Sequence, residues 1–208
     1  MSSKPVIILG AGGYAKVLAD ALKLSGREIL GFVTPDTDVG MNYCGKKVLG
    51  DDSIIEQYSA DEIELVNGIG ALPTKNLRWL LADKMRKQGY KFAIVIHPDA
   101  IITADVDLLE GTQIMAGVVI QSGTKIGQDT IINTGALIDH DCQIGNQCHI
   151  APGVIFSGGI NIGSNTHLGT GAIVIQNISI GENCVISAGS IVYKDISDGA
   201  KIIHGGNN

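Results

Sequence analysis

The chain has 208 residues, room for one large domain or two small ones. A hydrophobic content of 45% excludes a disordered chain, and a net charge of −6 argues against non-specific nucleic-acid binding. With 28 glycines but only 4% aromatic residues, aliphatic side chains and backbone turns must carry the architecture.

In chain order, Val6-Ile-Ile-Leu9 predicts a short buried strand, followed by Gly10-Ala-Gly-Gly13. A helix then runs through Val17, Leu18, Ala21, Leu22 and Leu24. A second strand over 28–33 is ended by Thr34-Pro35-Asp36, and a third over 63–67 precedes Gly68-Ile-Gly70. A helix over 76–88 and a last strand over 92–96 complete a small parallel, Rossmann-like α/β domain, expected over residues 1–97. Gly10-x-Gly12-Gly13-x-Ala15 is a loose dinucleotide fingerprint, in which bare glycines let a phosphate approach the backbone at a helix N-terminus. By itself the pattern is open to a tight turn, to NAD, or to the pyrophosphate of a nucleotide sugar.

No apolar run reaches the ~18–20 residues of a membrane span, and Met1–Pro5 carries no basic-then-apolar leader. No membrane insertion and a cytoplasmic location are therefore expected. Cys44, Cys142, Cys148 and Cys184 form no CxxC pair and have no histidine at zinc spacing, so they are expected reduced, buried and metal-free.

From Ile102 every sixth residue is large and apolar, through Leu108, Ile114, Ile120 and onward to Val192, sixteen in succession. Four residues after each stands a smaller or β-branched side chain, among them Thr112, Thr124, Ala136, Cys142, Cys148, Thr166, Cys184 and Ile196. Glycine follows the large residue at Gly127, Gly145, Gly163 and Gly181, a spacing of eighteen. Three hexads per coil predict a triangular parallel β-solenoid over residues 98–208, about five coils and, at ~4.8 Å per rung, about 25 Å tall. Periodicity alone leaves its handedness open.

The hexad Ile138-Asp-His140-Asp141-Cys-Gln departs from its bland neighbours. It puts an imidazole and a carboxylate side by side at an outward corner, the pairing a general base needs near neutral pH. Cys142 beside them falls in the buried small slot, where a thiol is inert, so it is not expected to act as a nucleophile. His149 and His167, eighteen apart, are expected to stack on one edge of the prism. From residue 102 the only lysines are Lys125, Lys194 and Lys201, and there is no arginine. Lys194 and Lys201, near the last coil, are the candidates for contact with an anionic ligand.

The [Ile/Leu/Val]-Gly-x-x-[small]-x hexads resemble those of the left-handed β-helix acyltransferases. The whole layout is similar to bacterial sugar acetyltransferases that join a Rossmann-like domain to such a helix. These include the bacillosamine-type UDP-amino-sugar N-acetyltransferases and the sialic acid O-acetyltransferase group. That resemblance implies a left-handed coil, a homotrimer with sites between prisms, and acetyl-CoA as co-substrate without a metal. It implies acetylation of the amino group of a nucleotide-linked, UDP-4-amino-4,6-dideoxy-type sugar for glycan biosynthesis. O-acetylation of a sialic-type sugar, a non-catalytic sugar-nucleotide scaffold and hydride transfer are the alternatives. By match to the family, His140 is the base and Asp141 its modulator, while His149, Thr170 and Ala188 contact acetyl-CoA. Gly12, Gly13, Tyr14, Thr34, Pro35 and Gly70 hold the sugar nucleotide. Tyr14 stands where relatives often carry His, Thr34-Pro35-Asp36 replaces an acidic pair, and the ending Lys201-Ile-Ile-His-Gly-Gly-Asn-Asn208 departs from a common Gly-x-Pro-Ala.

Overall fold

The computed structural model describes residues 4–35, 39–73 and 75–203. Asp36 of the Thr34-Pro35-Asp36 turn and the terminal segment 204–208 lie outside the described residues. The chain divides into two compact units, Met1–Pro98 and Asp99–Asn208.

In the first unit, strand β1 (Val6–Leu9) is buried along its whole length and pairs in parallel with β2 (Ile29–Val33) on one side. The edge elements β3 (Asn42–Tyr43) and β4 (Lys46–Gly50) form an antiparallel hairpin, with β4 parallel to β2. Strand β5 (Glu64–Asn67) flanks β1 on its other side, giving the order β3-β4-β2-β1-β5. Helix α1 (Gly13–Leu24) buries Ala15, Leu18 and Leu22, and helix α2 (Leu77–Lys87) buries Ala82 and Met85. Alternation along β1 sends Ile7 and Leu9 into the core shared with Ala82 and Met85, and Ile8 toward Ala15 of α1. The helices thus cover opposite faces, as βαβ units require.

Two features differ from the sequence reading. The hairpin at 42–50 is unforeseen, because its turn and two-residue arm show too few alternating positions to register. The expected strand over 92–96 reduces to a bridge from Phe92 to Leu65 and the short piece Val95–Ile96. Cys44 sits half-buried in the hairpin turn at φ 51°, whereas the other three cysteines are buried, and all four are free.

In the second unit two-residue strands climb in register at intervals of eighteen. The first face carries Ile101, Val119, Leu137, Ile155, Ile173 and Ile191 pointing outward, each followed by its inward partner. The second presents Asp107, Lys125, Gln143, Asn161 and Ser179, and the third Gln113, Ile131, His149, His167, Val185 and Lys201. Inward residues from Ile114 to Val192 are buried, while Ile102 and Leu108 at the open end are half-buried. The small slots from Thr112 to Ser190 are buried as well. Their threonines are satisfied between coils: Thr130 Oγ1 donates to Gly145 O at 2.7 Å and accepts from Cys148 N at 3.0 Å.

Corners turn through left-handed backbone. Every sixth residue from Gly111 to Gly189 has φ between 56° and 75°, and the column contains only glycine, asparagine, aspartate and one glutamine. These side chains tolerate that region far better than β-branched residues would. The last coil is two residues short, so Ile196 bridges Ile180 in place of filling a small slot and Lys201 pairs with Val185.

Candidate active site

The predicted residues fall at one cavity in the first unit and at two separate places on the solenoid. In the first, Gly12, Gly13, Tyr14 and Gly70 line a cavity of about 480 Å³ together with Gly10, Gly68, Lys75 and Arg78. Thr34 and Pro35, at the end of β2, are not among the lining residues. The glycines have different duties. Gly10 has φ +100°, and a Cβ on Gly68 would lie 2.8 Å from Ile8 Cγ2, so these two are demanded by the backbone and by packing. Gly12 and Gly13 have ordinary φ, and a Cβ at either meets nothing within 4 Å. Their bareness leaves open room at the start of α1, where no side chain caps the helix and no acid occupies the first turn. Uncapped amides and the positive end of the helix dipole favour an anion there.

Arg78 is the residue that the sequence reading missed. Buried at the start of α2, it donates through Nη1 to the carbonyls of Asn67 (2.7 Å) and Ile69 (2.8 Å). Asn67 Nδ2 returns a bond to Arg78 O at 2.9 Å, and Asn67 Oδ1 accepts from Ile69 N at 3.2 Å. The loop Gly68-Ile69-Gly70 is thereby pinned across the cavity. A lone arginine in a helix's apolar stripe was the available signal. Burial pushes the Tyr14 phenol well up, with the Arg78 charge opposing, so it stays a neutral hydroxyl. Tyr43 of the hairpin donates to Gly12 O at 2.8 Å, a second clamp on the glycine loop.

In the solenoid, His140 and Asp141 occupy the corner between the first and second faces. His140 Nδ1 lies 2.8 Å from Asp141 Oδ2, and both side chains are exposed. Asp139 Oδ1 accepts from His140 N at 2.8 Å. The hydrogen bond to Asp141, and then the charge of Asp139, raise the imidazole above its ordinary value near 6.5. Asp141 itself is a left-handed corner residue, φ 59°, a position where aspartate is tolerated. Glycines frame the pair: a Cβ on Gly158, one coil up, would stand 2.6 Å from His140 Cε1 and Nε2, and one on Gly123, one coil down, would strike Asp141 Oδ1. Burial pushes the Cys142 thiol up and the Cys148 thiol to about 12, which removes both as nucleophiles.

His149 and His167 stack on the third face rather than an edge, with ring centroids 4.8 Å apart. Thr170 and Ala188 follow at the corner between the third and first faces, joined through Gly189 N donating to Thr170 O at 2.9 Å. Within one chain, therefore, His140 stands at the vertex opposite the face that bears His149. Lys194 and Lys201 are exposed near the last coil. Among the described residues no group of three or more His, Cys, Asp or Glu could hold a metal, and no helix is long and apolar enough to cross a membrane.

Residues 5–85 match the PglD N-terminal domain, and residues 123–158 the bacterial transferase hexapeptide (six repeats). A histidine-to-asparagine mutant of perosamine N-acetyltransferase from Caulobacter crescentus, in complex with CoA and GDP-perosamine, is 35% identical with TM-score 0.87. The similarity covers 95% of this chain and 92% of that one. The chain belongs to this family of sugar acetyltransferases. The acetyltransferase also resembles the PglB acetyltransferase domain from Neisseria gonorrhoeae in complex with acetyl coenzyme A, at 28% identity and TM-score 0.88 over 96% and 95% of the two chains. WeeI from Acinetobacter baumannii AYE, 23% identical with TM-score 0.83, covering 96% of both chains, shares the fold. No curated protein matches the chain. The family reading drawn from the hexads holds, and the solenoid of this acetyltransferase is a left-handed β-helix.

Two predictions follow from the glycines. Gly13→Ala leaves the melting temperature unchanged or raises it, because alanine gains about 0.5–1 kcal/mol over glycine in a helix, while it weakens binding of a nucleotide diphosphate in calorimetry. Gly158→Ala displaces the imidazole, so an NMR titration finds His140 returned toward its ordinary value in a protein that still unfolds cooperatively.

Proposed function

We propose that the acetyltransferase moves the acetyl group of acetyl-CoA onto the amino group of a nucleotide-linked deoxy-amino sugar. The observation that carries this reading is the exposed His140–Asp141 pair, 2.8 Å apart, on a hexapeptide solenoid whose chain also bears a glycine-lined anion cavity. The uncapped start of α1 receives the diphosphate, Gly12 and Gly13 let it approach, and Lys75 at the rim supplies a compensating charge. A cavity of about 480 Å³ suits a ligand of this size.

The sugar amine attacks the thioester carbonyl carbon. Neutral His140 accepts the proton that the nitrogen sheds as the C–N bond forms. The C–S bond then breaks and CoA leaves as thiolate, which takes the proton from the His140 imidazolium and restores the neutral base. Asp141 accepts from Nδ1, fixes the tautomer that leaves Nε2 free, and stabilises the imidazolium that forms. His149, Thr170 and Ala188 are assigned to acetyl-CoA, and Thr34 and Pro35 to the nucleoside end of the sugar nucleotide.

A homotrimer supplies what one chain lacks. His140 and His149 lie on opposite sides of one prism, so a single acetyl-CoA meets both only where two copies adjoin. The first face offers the joint. Ile101, Leu137, Ile155 and Ile191 are exposed with Val119 and Ile173 between them, an apolar stripe six rungs tall, whereas the second face is polar. An apolar patch bordered by polar residues marks an interaction surface, and an occupant with the same rung spacing, a second copy, matches it along its length. Four free cysteines support a reducing compartment, the cytoplasm.

Release of CoA thiol is the assay, run over a panel of UDP-, GDP- and CMP-linked sugars. Turnover with an amino-sugar nucleotide supports the reading, acetylation of a sialic-type hydroxyl replaces it, and ligand binding without CoA release with any sugar refutes it. In that assay His140→Ala lowers the rate by at least about 10²-fold with folding intact, the usual worth of a general base. Since the base works neutral and its pKa is raised, kcat/KM climbs with pH through a value above 6.5. Asp141→Asn shifts that limb to lower pH and lowers the plateau. The double variant Leu137→Asp with Ile155→Asp sediments as a monomer and loses activity, while an active monomer would refute the trimer.

A further inference from the structure

We propose that Asn133, His149 and His167 form a one-way hydrogen-bond chain, and that its terminal donor, His167 Nε2–H, is a binding group for an acceptor oxygen of acetyl-CoA. This rests on the acetyl-CoA reading above and assigns a role to a histidine that the family resemblance left unassigned.

The chain's direction is set at its first member. Thr134 N donates to Asn133 Oδ1 at 2.8 Å, which identifies that atom as the oxygen and turns Nδ2 toward the third face. Asn133 Nδ2 then lies 3.3 Å from His149 Nε2. An amide NH₂ only donates, so His149 Nε2 is the acceptor and its proton sits on Nδ1. His149 Nδ1 is 3.2 Å from His167 Nδ1, and two N–H groups cannot point at each other, so His167 Nδ1 accepts. The proton of neutral His167 is consequently held on Nε2.

Charging either ring breaks the sequence of bonds. A protonated His149 would turn Nε2–H against the Asn133 amide, and a protonated His167 would oppose two N–H groups. The bonds present are therefore those of two neutral rings. Burial lowers the pKa of half-buried His167, in the same direction.

The chain ends where the ligand is expected. His167–Leu168 leads within three residues into Thr170, at the corner that Ala188 continues one coil up. Both ring nitrogens of His149 are engaged by Asn133 and His167, so the donor that this pair presents onward is His167 Nε2–H. The carbonyl and amide oxygens of an acyl-pantetheine are neutral acceptors, and a fixed neutral N–H is their complement.

Long-range ¹H–¹⁵N NMR of the full-length protein reads the chain without any ligand. Protonated Nδ1 on His149 and protonated Nε2 on His167 are expected, and Asn133→Asp reverses both. The opposite tautomers in the wild type, or no change in Asn133→Asp, overturn the chain. Steady-state kinetics reads the binding role. His167→Phe raises KM for acetyl-CoA about three- to tenfold, the worth of one hydrogen bond, with kcat within about twofold. His167→Gln, which restores an N–H donor, recovers most of the loss. An unchanged KM in His167→Phe overturns the binding role. If the wild type itself fails to use acetyl-CoA, the parent reading falls and this ligand assignment with it, whereas the tautomers are still decided by NMR.

Discussion

The solenoid depends on one backbone conformation recurring every six residues. At each left-handed corner from Asp129 to Gly189 the amide turns toward the coil beneath: Asp141 N reaches Ser122 O at 2.9 Å, Gly159 N reaches His140 O at 2.9 Å, and the spacing of nineteen repeats. Those bonds lock one coil's corner to the next, and the two-residue strands between corners need only stack. Of each strand's two side chains one turns inward, and burial there favours the large apolar residue. The small slots stay small because each corner narrows the interior. Polar residues there are hydrogen-bonded: the hydroxyls of Thr124, Thr130 and Thr166 both donate and accept between coils, and Ser190 pairs with Ser187.

The same constraint builds the chemistry. Asp141 satisfies the corner's demand for a residue tolerant of positive φ and also accepts from His140. A glycine there would satisfy the turn but leave the imidazole unsupported. Gly123 and Gly158 supply the reverse service, since at both positions a methyl group would strike the pair. A column that serves folding in fourteen corners thus also holds an imidazole at one. The Rossmann-like unit shows a parallel division. Gly10 and Gly68 serve the backbone and packing, while Gly12 and Gly13 face open space and leave the start of α1 bare.

The two halves of the chain differ in how far their residues announce themselves. The hexad ladder was readable because sixteen repetitions reinforce one another, and its coil count, inward columns and outward His140–Asp141 corner all appear in the structure. The strand–glycine–helix opening was readable for a similar reason, since a four-residue apolar run and a periodic helix bracket it. The hairpin at 42–50 escaped because one short arm gives no period. Arg78 escaped because its partners are main-chain carbonyls of Asn67 and Ile69, which any residue could supply. The shortened last coil, with Ile196 beside Ile180, escaped because a deletion of two residues at the end of a repeat has nothing after it to reveal the new register.

From the amino acids alone came the three-sided coil, the preceding nucleotide-type fold, the family, and the imidazole–carboxylate pair on a corner. Each follows from periodicity or from neighbours in sequence, where geometry is local. Tertiary structure alone decided that His140 and His149 lie across the prism from one another. It alone oriented His149 and His167 through Asn133, and pinned the cavity loop with a buried arginine. These are spatial relations between residues nine to eighteen positions apart or on different elements, each occurring once. A single contact leaves no pattern in a sequence, and only the stacking of coils and the packing of α2 bring its two ends together.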